Sequence, residues 1–269
     1  MIPKSIDGKC RVLSLSYGKD SMACLGALEE LQWPLDRIVT ADVWATDTIP
    51  ADLPPMVEFK DYADKVILER YGIEVEHFRD KNSYQSLFYK VYGKKSKNSG
   101  RIWGFPRSGI TSGNKGNWCN ALKMNVISLA NKSCNNGIVY IGIASDEPNR
   151  FHNLTDTKLS PLVEIGWTEA DCCEWCKEND LLSPIYTQSE RGGCWFCHNQ
   201  SIQQLRRLRK QYPRLWALLL KWDADSPVSF HADGHTVHDF DRRFALEDKG
   251  LILTDRKFRW KMLDDLGDE

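Results

Sequence analysis

The sequence predicts an α/β fold, a doubly wound parallel sheet with a helical, cysteine-rich C-terminal extension. Three short apolar segments alternate with segments of helical periodicity in the first 80 residues. A further apolar segment at residues 138–143 suits a central strand, and the chain beyond residue 162 becomes rich in cysteine and tryptophan. Strand–helix–strand units of this size favour parallel strands with helices on both faces.

The first three strands and two helices each have a local signal. A strand is predicted at residues 12–15, and a helical run begins at Met22 after a turn of small and polar residues. Residues 37–44 form the second candidate strand, and Pro54 and Pro55 mark the start of the next helix. Gly72 is placed to end that helix, and residues 73–78 alternate in polarity as a third strand.

The later part of the chain is less regular. Residues 82–118 are predicted to form an insertion or lid, with a solvated basic loop as the alternative. Its basic residues cluster at Lys90, Lys94, Lys95, Lys97 and Arg101. A helix near residues 120–133 precedes the strand at 138–143, which is expected beside the first strand with its carboxyl end at a ligand crevice. One helix is predicted over residues 201–222. The sheet domain is assigned to residues 1–160 and the helical region to residues 161–269.

Composition sets limits on the class of protein. The 269 residues are 42% hydrophobic and 27% charged, which is typical of a protein with a packed core. The net charge of -1 gives no general attraction to nucleic acid or membrane, and no apolar run approaches the length that spans a bilayer. We therefore expect a cytoplasmic protein with no membrane partner. Nine cysteines in such a compartment favour metal binding or redox chemistry over structural disulfides.

The turn at residues 16–21, Ser-Tyr-Gly-Lys-Asp-Ser, is the most informative segment and is called the 16–21 loop below. A turn of small residues between a strand and a helix exposes backbone N–H groups and a helix N-terminus to an anion. Lys19 adds a positive charge, and Ser16 and Ser21 add hydroxyl donors. The pattern therefore predicts a phosphate cradle, with an ordinary capped turn as the alternative.

The 16–21 loop resembles the S-x-G-x-D-S loop of the PP-loop superfamily, which includes ATP pyrophosphatases and phosphoadenylylsulfate (PAPS) reductases. Tyr17 stands where that family usually has glycine. The resemblance implies the adenine nucleotide α-hydrolase-like fold and a nucleotide-binding role for residues 1–160. It implies nucleotide contacts from Ser16, Tyr17, Gly18, Lys19, Asp20 and Ser21, with Lys19 and Asp20 catalytic.

Later segments extend the resemblance in chain order. The turn containing Asp47 is similar to the family's adenosine-side turn, and Lys123 ends a segment similar to its Cys-x-x-x-x-Lys stretch. Gly142 begins a stretch, ending at Arg150, that is similar to the family's Gly-x-x-x-D-E-x-x-R pattern. The resemblance implies nucleotide contacts from Asp47, Gly142 and Arg150, and second-substrate contacts from Lys123 and Arg150. Within the superfamily, the sequence most resembles two branches. They are the phage-type PAPS reductase family and the sulfur-transfer proteins of DNA phosphorothioation and tRNA thiolation.

A metal site is predicted from the cysteine spacing. Cys194 and Cys197 lie two residues apart after Gly192 and Gly193, a spacing at which two thiolates reach one metal. Cys176 and Cys119 are the candidates for the remaining ligands, and four thiolates suit either Zn²⁺ or a [4Fe–4S] cluster. Packing without metal is the alternative, and it is favoured for Cys10, Cys24 and Cys134, which lie within apolar elements.

The favoured hypothesis is an enzyme that binds ATP with Mg²⁺, cleaves it between the α and β phosphates and adenylates an acceptor. Transfer of sulfur or another nucleophile then releases AMP. The sequence does not identify the acceptor, for which nucleic acid is one candidate, or show whether a sulfur donor protein takes part. The alternatives are a sulfonucleotide reductase acting on PAPS or APS and a non-catalytic nucleotide- or nucleic-acid-binding module. The last would use the basic face of residues 206–214, unless that face pairs with Asp223, Asp225 or Asp241.

Overall fold

A computed structural model describes residues 2–106, 118–134, 137–187, 193–252 and 258–265. The chain divides into two compact units. Unit 1 comprises Met1–Tyr84 and Cys119–Cys194, and unit 2 comprises Gln85–Trp118 and Trp195–Glu269. Unit 1 thus continues past residue 160, where the sequence placed the end of the sheet domain. Part of the predicted insertion, residues 107–117, and the predicted turn residue Gly192 lie outside the described residues.

Unit 1 is built on a five-stranded sheet in which every neighbouring pair of strands is parallel. The strand order is β3-β2-β1-β4-β5. The predicted parallel α/β sheet is therefore confirmed, including the place of the fourth strand beside the first. The fifth strand has only two residues, too few for any periodicity to predict it. The strands are β1 (Arg11–Ser14), β2 (Arg37–Asp42), β3 (Val75–Arg79), β4 (Ile138–Tyr140) and β5 (Lys158–Leu159).

In the described residues, helices follow or connect these strands, and the third of them runs from the end of unit 1 into unit 2. Gly72 ends the second with a left-handed φ of 67°, as its position in the sequence predicted. They are α1 (Lys19–Glu30), α2 (Pro54–Tyr71), α3 (Tyr84–Phe88), α4 (Ala121–Lys132), α5 (Pro161–Ile165) and α6 (Glu169–Glu178). Tight helical turns occur at Trp118–Asn120, Pro148–Asn153 and Pro184–Thr187.

Helices cover both faces of the sheet. Leu13 and Ile38 pack with the apolar residues of α1 and α2 in the larger core. Val12 and Val39, their neighbours along the strands, belong to a separate cluster with Ala130 of α4. Successive side chains of a strand point to opposite faces, so α4 lies on the face opposite α1 and α2. An all-parallel sheet with helices on both faces is consistent with a doubly wound α/β fold.

Helix α6 packs directly on α1. A side chain at Gly26, in the middle of α1, would collide with the indole of Trp175 in α6. Glycine inside a helix costs about 1 kcal/mol relative to alanine, so this close approach gives a physical reason for the residue. Helix α6 begins with a capping box between Thr168 and Asp171, which fixes its first turn.

Unit 2 contains the remaining helices, α7 (Ile202–Gln211), α8 (Pro213–Asp225), α9 (Val237–Asp248) and α10 (Lys261–Asp265). The prediction of one helix over residues 201–222 is wrong, because Pro213 interrupts it. Proline has no N–H to donate and disfavours helical geometry in the residue before it. Tyr212 accordingly has φ -130° and ψ 62°. The chain therefore turns between α7 and α8.

The basic face of α7 is partly neutralised within unit 2. Arg206 pairs with Glu247 at 2.7 Å, and Arg209 pairs with Asp241 at 2.8 Å. Asp241 was one of the three partners suggested by the sequence. These pairs support the interpretation of this face as an ion-paired surface of the fold.

An aromatic cluster forms much of the interior of unit 2. Trp195 and Trp222 stack with ring centres 5.6 Å apart, and Phe88 stacks on Trp222 at 5.9 Å. Phe88 also meets the edge of Phe105 at 5.3 Å. All four side chains are fully buried or nearly so. Aromatic pairs at these separations contribute beyond their buried area.

Two further findings concern cysteines and membranes. Cys10 and Cys134, expected to pack as free thiols, are joined in a disulfide across 124 residues. Cys24 is a free, fully buried cysteine of α1, as expected. None of the helices in the described part of the chain combines the length and apolar character needed to cross a membrane.

Candidate functional site

The 16–21 loop connects β1 to α1 at the carboxyl end of the sheet, between strands β2 and β4. Gly18 is the N-cap of α1 and provides no side-chain cap for the first turn. The hydroxyls of Ser16 and Ser21 lie 3.0 Å apart, and Ser21 also donates to the Gly18 carbonyl at 3.0 Å. The two serines thus stabilise the loop. The backbone N–H groups of the first turn of α1 project from the N-terminal end of the helix, where they have no intrahelical partner.

Gly142 follows β4 and lies against the first turn of α1. A Cβ atom at this position would come within 2.6 Å of the Ser21 nitrogen and 2.7 Å of the Asp20 carbonyl carbon. Real Cβ atoms do not approach backbone so closely, so only glycine fits here without displacement. The predicted site residue Gly142 and the 16–21 loop are therefore brought together. The contact also fixes the N-terminus of α1 at the junction of β1 and β4, where ligands bind in doubly wound folds.

Lys19 is held between two carboxylates. Its Nζ lies 2.7 Å from Asp20 and 2.7 Å from Glu169 at the start of α6. Burial lowers the pKa of Lys19, but the two hydrogen bonds outweigh burial and leave the pKa above its ordinary value. Burial also raises the pKa of Asp20, although Lys19 opposes this rise. The site therefore holds a permanently charged lysine beside an acidic group.

Tyr186 reaches the same helix terminus from far along the chain. Its hydroxyl accepts the backbone N–H of Lys19 at 3.1 Å. The same oxygen would lie 3.2 Å from a Cβ atom at Gly18, so the ring passes close to the loop. Burial raises the pKa of Tyr186, which keeps the phenol protonated at neutral pH. A protonated hydroxyl that accepts from Lys19 keeps its own hydrogen for a further acceptor.

Tyr17 points away from the helix terminus and into unit 1. Its side chain is 1% exposed, and its hydroxyl donates to Asp64 of α2. The ring is therefore buried away from solvent, and only the backbone of Tyr17 stays a candidate for the predicted nucleotide contact. Ser16, by contrast, is exposed to solvent.

Arg150 lies near the loop through Gly142. Its guanidinium pairs with Glu147 at 2.6 Å, and one nitrogen lies 3.4 Å from the Gly142 carbonyl. Glu147 in turn accepts the backbone N–H of Ala144 at 3.2 Å. The stretch that follows β4 thus carries an ion pair of Glu147 and Arg150, and Arg150 is half exposed.

Asp47 and Lys123 also belong to unit 1. Asp47 is an exposed residue in the turn after β2, and its carbonyl accepts from Arg79 at 3.3 Å. Lys123 is exposed in the first turn of α4. Among the described residues, no hydrogen bond or ion pair joins either one to the 16–21 loop. The contacts within the described part of the chain thus connect Gly142 and, through it, Arg150 to the loop.

The four predicted metal ligands have different environments. Cys176 is fully buried in α6 and donates its S–H to the Lys19 carbonyl at 3.3 Å. Burial raises its pKa, which opposes the thiolate that a metal requires. Cys119 lies in the turn before α4, and Cys194 and Cys197 flank the buried pair Trp195–Phe196. Within the described ranges, no three His, Cys, Asp or Glu side chains are grouped to hold a metal ion.

The environment of Cys176 therefore opposes its predicted role as a thiolate ligand. The Cys176 thiol already has an acceptor in the 16–21 loop, and it would have to leave that acceptor and lose its proton. Zinc or an iron–sulfur cluster at these cysteines stays a prediction, and we derive no chemical step from it.

Glu169, Tyr186 and Trp175 had no signal in the sequence. The Thr168–Asp171 capping pattern could have located the start of α6, but not its contact with Lys19. Tyr186 is 167 residues from the backbone nitrogen that it binds. Only the folded chain places Glu169 and Tyr186 beside the loop and Trp175 against Gly26. No model of a known protein family matches the chain, and no curated protein matches it either.

Proposed function

We propose that this protein is an adenine-nucleotide enzyme of the PP-loop type, which cleaves ATP between the α and β phosphates and adenylates an acceptor. The observation that carries the proposal is the 16–21 loop itself. It presents the N-terminus of α1, with Lys19, at the junction of β1 and β4, and Gly142 approaches its backbone. Helix N-termini with free backbone N–H groups bind phosphate through hydrogen bonds and the helix dipole.

The charges around the loop favour a nucleotide that arrives with a cation. Asp20 and Glu169 would repel a bare polyphosphate, since only Lys19 lies between them. Mg²⁺ is usually held by one or two carboxylates together with substrate phosphates, so a protein cluster of three acids is not needed. Asp20 is the residue that would hold Mg²⁺, with Glu169 beside it, and the ion would offset phosphate charge.

The residues of the loop then have separate roles. Backbone N–H groups of the first turn of α1 bind the phosphates that will leave as pyrophosphate. Lys19 offsets the negative charge that develops on them as the bond to the α-phosphorus breaks. An acceptor oxygen forms the new bond to that phosphorus, and AMP leaves when sulfur or another nucleophile attacks the acceptor. Arg150 is the cation placed to hold the second substrate or the departing AMP.

The products of ATP cleavage test this proposal. Purified protein incubated with Mg-ATP should release AMP and pyrophosphate, slowly with water and faster with a true acceptor. Lys19→Gln should remove this release and leave the fold intact, because Lys19 is not one of the residues of the apolar core. Lys65→Gln, an exposed lysine of α2, is the matched control and should keep full activity. Release of ADP and phosphate instead would contradict the proposed bond cleavage.

A second candidate function, nucleic-acid binding, is favoured by the distribution of charge. The 65 residues from Lys81 to Ser145 contain no Asp or Glu, although the whole chain has a net charge of -1. The basic residues in this segment are Lys81, Lys90, Lys94, Lys95, Lys97, Arg101, Arg107, Lys115, Lys123 and Lys132.

A hairpin in unit 2 displays part of this charge. Val91 and Ile102 form an antiparallel bridge. Nζ of Lys90 lies 4.7 Å from the ring centre of Trp103. The five basic residues of the predicted cluster are all exposed to solvent. The exposed basic side chains of this hairpin suit contacts with the phosphate backbone of a single-stranded nucleic acid. The aromatic ring of Trp103 suits stacking with an unpaired nucleobase.

Salt dependence tests this second function. Replacing Lys94, Lys95 and Lys97 by Gln should weaken binding to single-stranded DNA or RNA. The slope of the logarithm of the binding constant against the logarithm of the salt concentration, called the salt slope below, should become shallower by about 1 for each of these lysines that contacts a phosphate. The control is the triple Gln variant of Lys65, Lys177 and Lys249, all exposed and outside the acid-free segment. Equal slopes for both triple variants would exclude the hairpin as a binding surface.

A further inference from the structure

Tyr17 has a backbone conformation that is uncommon for its residue type. Its φ angle is 56°, in the left-handed region where glycine is ordinarily found. The side chain is buried, so the ring extends into unit 1 while the backbone forms the 16–21 loop. A bulky residue keeps this conformation only where its surroundings enforce it. The contacts of the Tyr17 ring are therefore part of what shapes the loop.

Two helix residues and one strand residue surround that ring. The Tyr17 hydroxyl donates to Oδ1 of Asp64 at 2.5 Å and lies 3.1 Å from Nε2 of His77. Nζ of Lys60 lies 5.2 Å from the ring centre, within reach of a cation–π interaction. Asp64 and Lys60 belong to α2, and His77 belongs to β3. The loop is thus tied to two elements that are distant from it in sequence.

His77 lies between two carboxylates. Its Nδ1 is 2.8 Å from Oδ2 of Asp42, and its Nε2 is 2.9 Å from Oδ2 of Asp64. An imidazole ring has two N–H donors only when it is protonated. The charged ring therefore donates to both carboxylates, and it holds Asp64 in place to accept from Tyr17.

We propose that Tyr17 and His77 are positioning residues, which together with Asp64 form a pH-sensitive anchor that holds the 16–21 loop in its phosphate-binding conformation. The inference rests on the proposed function in one respect only, namely that the loop binds phosphate. Neither residue touches the nucleotide through its side chain. Their effect on binding comes from fixing the backbone of Tyr17, and hence the direction of the N–H groups that follow it.

The titration of His77 sets the direction of the pH effect. Hydrogen bonds to Asp42 and Asp64 raise the pKa of His77 from 6.5 to about 9. The charged groups around it are Asp42 of β2, Asp64 and Lys60 of α2, and Asp52, which pairs with Lys60 at 2.7 Å. Burial raises the pKa of Tyr17, so the phenol stays protonated across this range.

The direction of the pH effect follows because the pKa of His77 is higher in the folded state than in the unfolded state. Such a histidine stabilises the folded state fully below pH 6.5, and this contribution is lost as pH rises to about 9. The anchor should therefore be closed at neutral pH and should loosen between pH 7 and pH 9.5. The change is confined to the loop and the elements that hold it.

Hydrogen–deuterium exchange of the ligand-free protein tests the anchor without any nucleotide. The variants are Tyr17→Phe, which keeps the ring and removes the hydroxyl, and His77→Gln, which removes the titration. Tyr62→Phe is the matched control, because Tyr62 is an exposed tyrosine of α2. At pH 7, exchange of the loop amides should be about tenfold faster in Tyr17→Phe than in wild type, as expected for one lost hydrogen bond to a charged group.

The pH dependence gives a readout that a packing role would not produce. The ratio of loop exchange rates between Tyr17→Phe and wild type should fall from about ten at pH 7 toward one at pH 9.5. The ratio of loop exchange rates between Tyr17→Phe and His77→Gln should not change with pH, because the anchor is incomplete in both variants. A Tyr17→Phe loop that exchanges as slowly as the Tyr62→Phe loop would overturn the anchor. If the ratio of loop exchange rates between Tyr17→Phe and wild type stays constant from pH 7 to pH 9.5, the pH sensitivity of the anchor is overturned.

Mg-ATP binding, measured separately by calorimetry, links the anchor to the site. Wild-type affinity should fall between pH 7.5 and pH 9.5, and Tyr17→Phe should bind about tenfold more weakly at pH 7.5. Equal affinity of wild type and Tyr17→Phe would overturn the positioning role. A protein that shows the predicted exchange but never binds Mg-ATP would remove the proposed function and leave the anchor in place.

Discussion

The hydroxyl of Tyr186 accepts the backbone N–H of Lys19 at 3.1 Å, at the N-terminus of α1. It thus occupies one of the N–H groups that the helix leaves without an intrahelical partner. The proposed phosphate site is therefore lined by a phenol as well as by backbone and Lys19. Since the oxygen accepts from Lys19, its hydrogen remains available for another acceptor, and a phosphate oxygen is the acceptor that the proposed function provides.

Tyr186→Phe should weaken Mg-ATP binding about tenfold, the ratio expected for one hydrogen bond to a charged group. The ring remains, so the free energy of unfolding should change by no more than about 1 kcal/mol. Isothermal titration calorimetry and urea denaturation measure the two quantities. Tyr62→Phe serves again as the control. Tighter binding by Tyr186→Phe would mean that the hydroxyl competes with the ligand for the Lys19 N–H.

Gly142→Ala should disrupt the site through the backbone alone. The new methyl group would meet Asp20 and Ser21 main-chain atoms at less than 3 Å, and overpacking of this kind costs about 1–3 kcal/mol. We expect a lower free energy of unfolding in urea and a loss of Mg-ATP binding. Gly93→Ala is the control, since a Cβ atom there has open space and the φ angle is not left-handed. Wild-type behaviour of Gly142→Ala would show that the loop does not need this close approach.

Gly26→Ala tests the packing of α6 on α1. Alanine is the better helix former by about 1 kcal/mol, yet its methyl group would collide with the Trp175 indole. We expect a net loss of about 1–3 kcal/mol in urea denaturation. Trp175→Leu creates room at this contact, so the double variant should lose less stability than the two single losses added together. Additive losses would show that the two residues do not interact.

Glu247 carries the central charge of a buried cluster in unit 2. Its side chain is 3% exposed and pairs with Arg206 at 2.7 Å and with Arg243 at 2.8 Å. Glu247→Gln leaves two arginines without their counter-charge, so the free energy of unfolding should fall by about 3 kcal/mol. Asp248→Asn, which removes an exposed partner of Arg209, should cost less than about 1 kcal/mol. Comparable losses in both variants would contradict the burial of the Glu247 cluster.

The parts of the fold that could be predicted have local causes. The loop, the start of α1 and the Gly72 cap depend on neighbouring residues, and the parallel order of β1 and β4 follows from strand–helix–strand spacing. The break at Pro213 was also local but was overridden in the prediction by the apolar periodicity of residues 202–219. Strand β5 is too short to have a period.

Only the residues of the candidate site that lie in short sequence patterns directly after β1 and β4 could be predicted. Lys19, Asp20 and Gly142 are placed by a short pattern and by the strands that precede them. Glu169 and Tyr186 meet Lys19 because α6 packs on α1, and no periodicity encodes that contact. The position of Tyr17 was predicted, but not the direction of its ring, which depends on Asp64 and His77.

Ligand-induced stabilisation tests the central claim most directly. Anaerobically purified protein should be unfolded thermally with equal concentrations of Mg-ATP, PAPS and APS. A ligand present at 100 times its dissociation constant adds about 2.7 kcal/mol to the free energy of unfolding. Stabilisation by Mg-ATP that is lost in Lys19→Gln and kept in Lys65→Gln is the predicted result. Stabilisation by PAPS or APS alone would contradict the proposed ATP cleavage and favour a sulfonucleotide reductase.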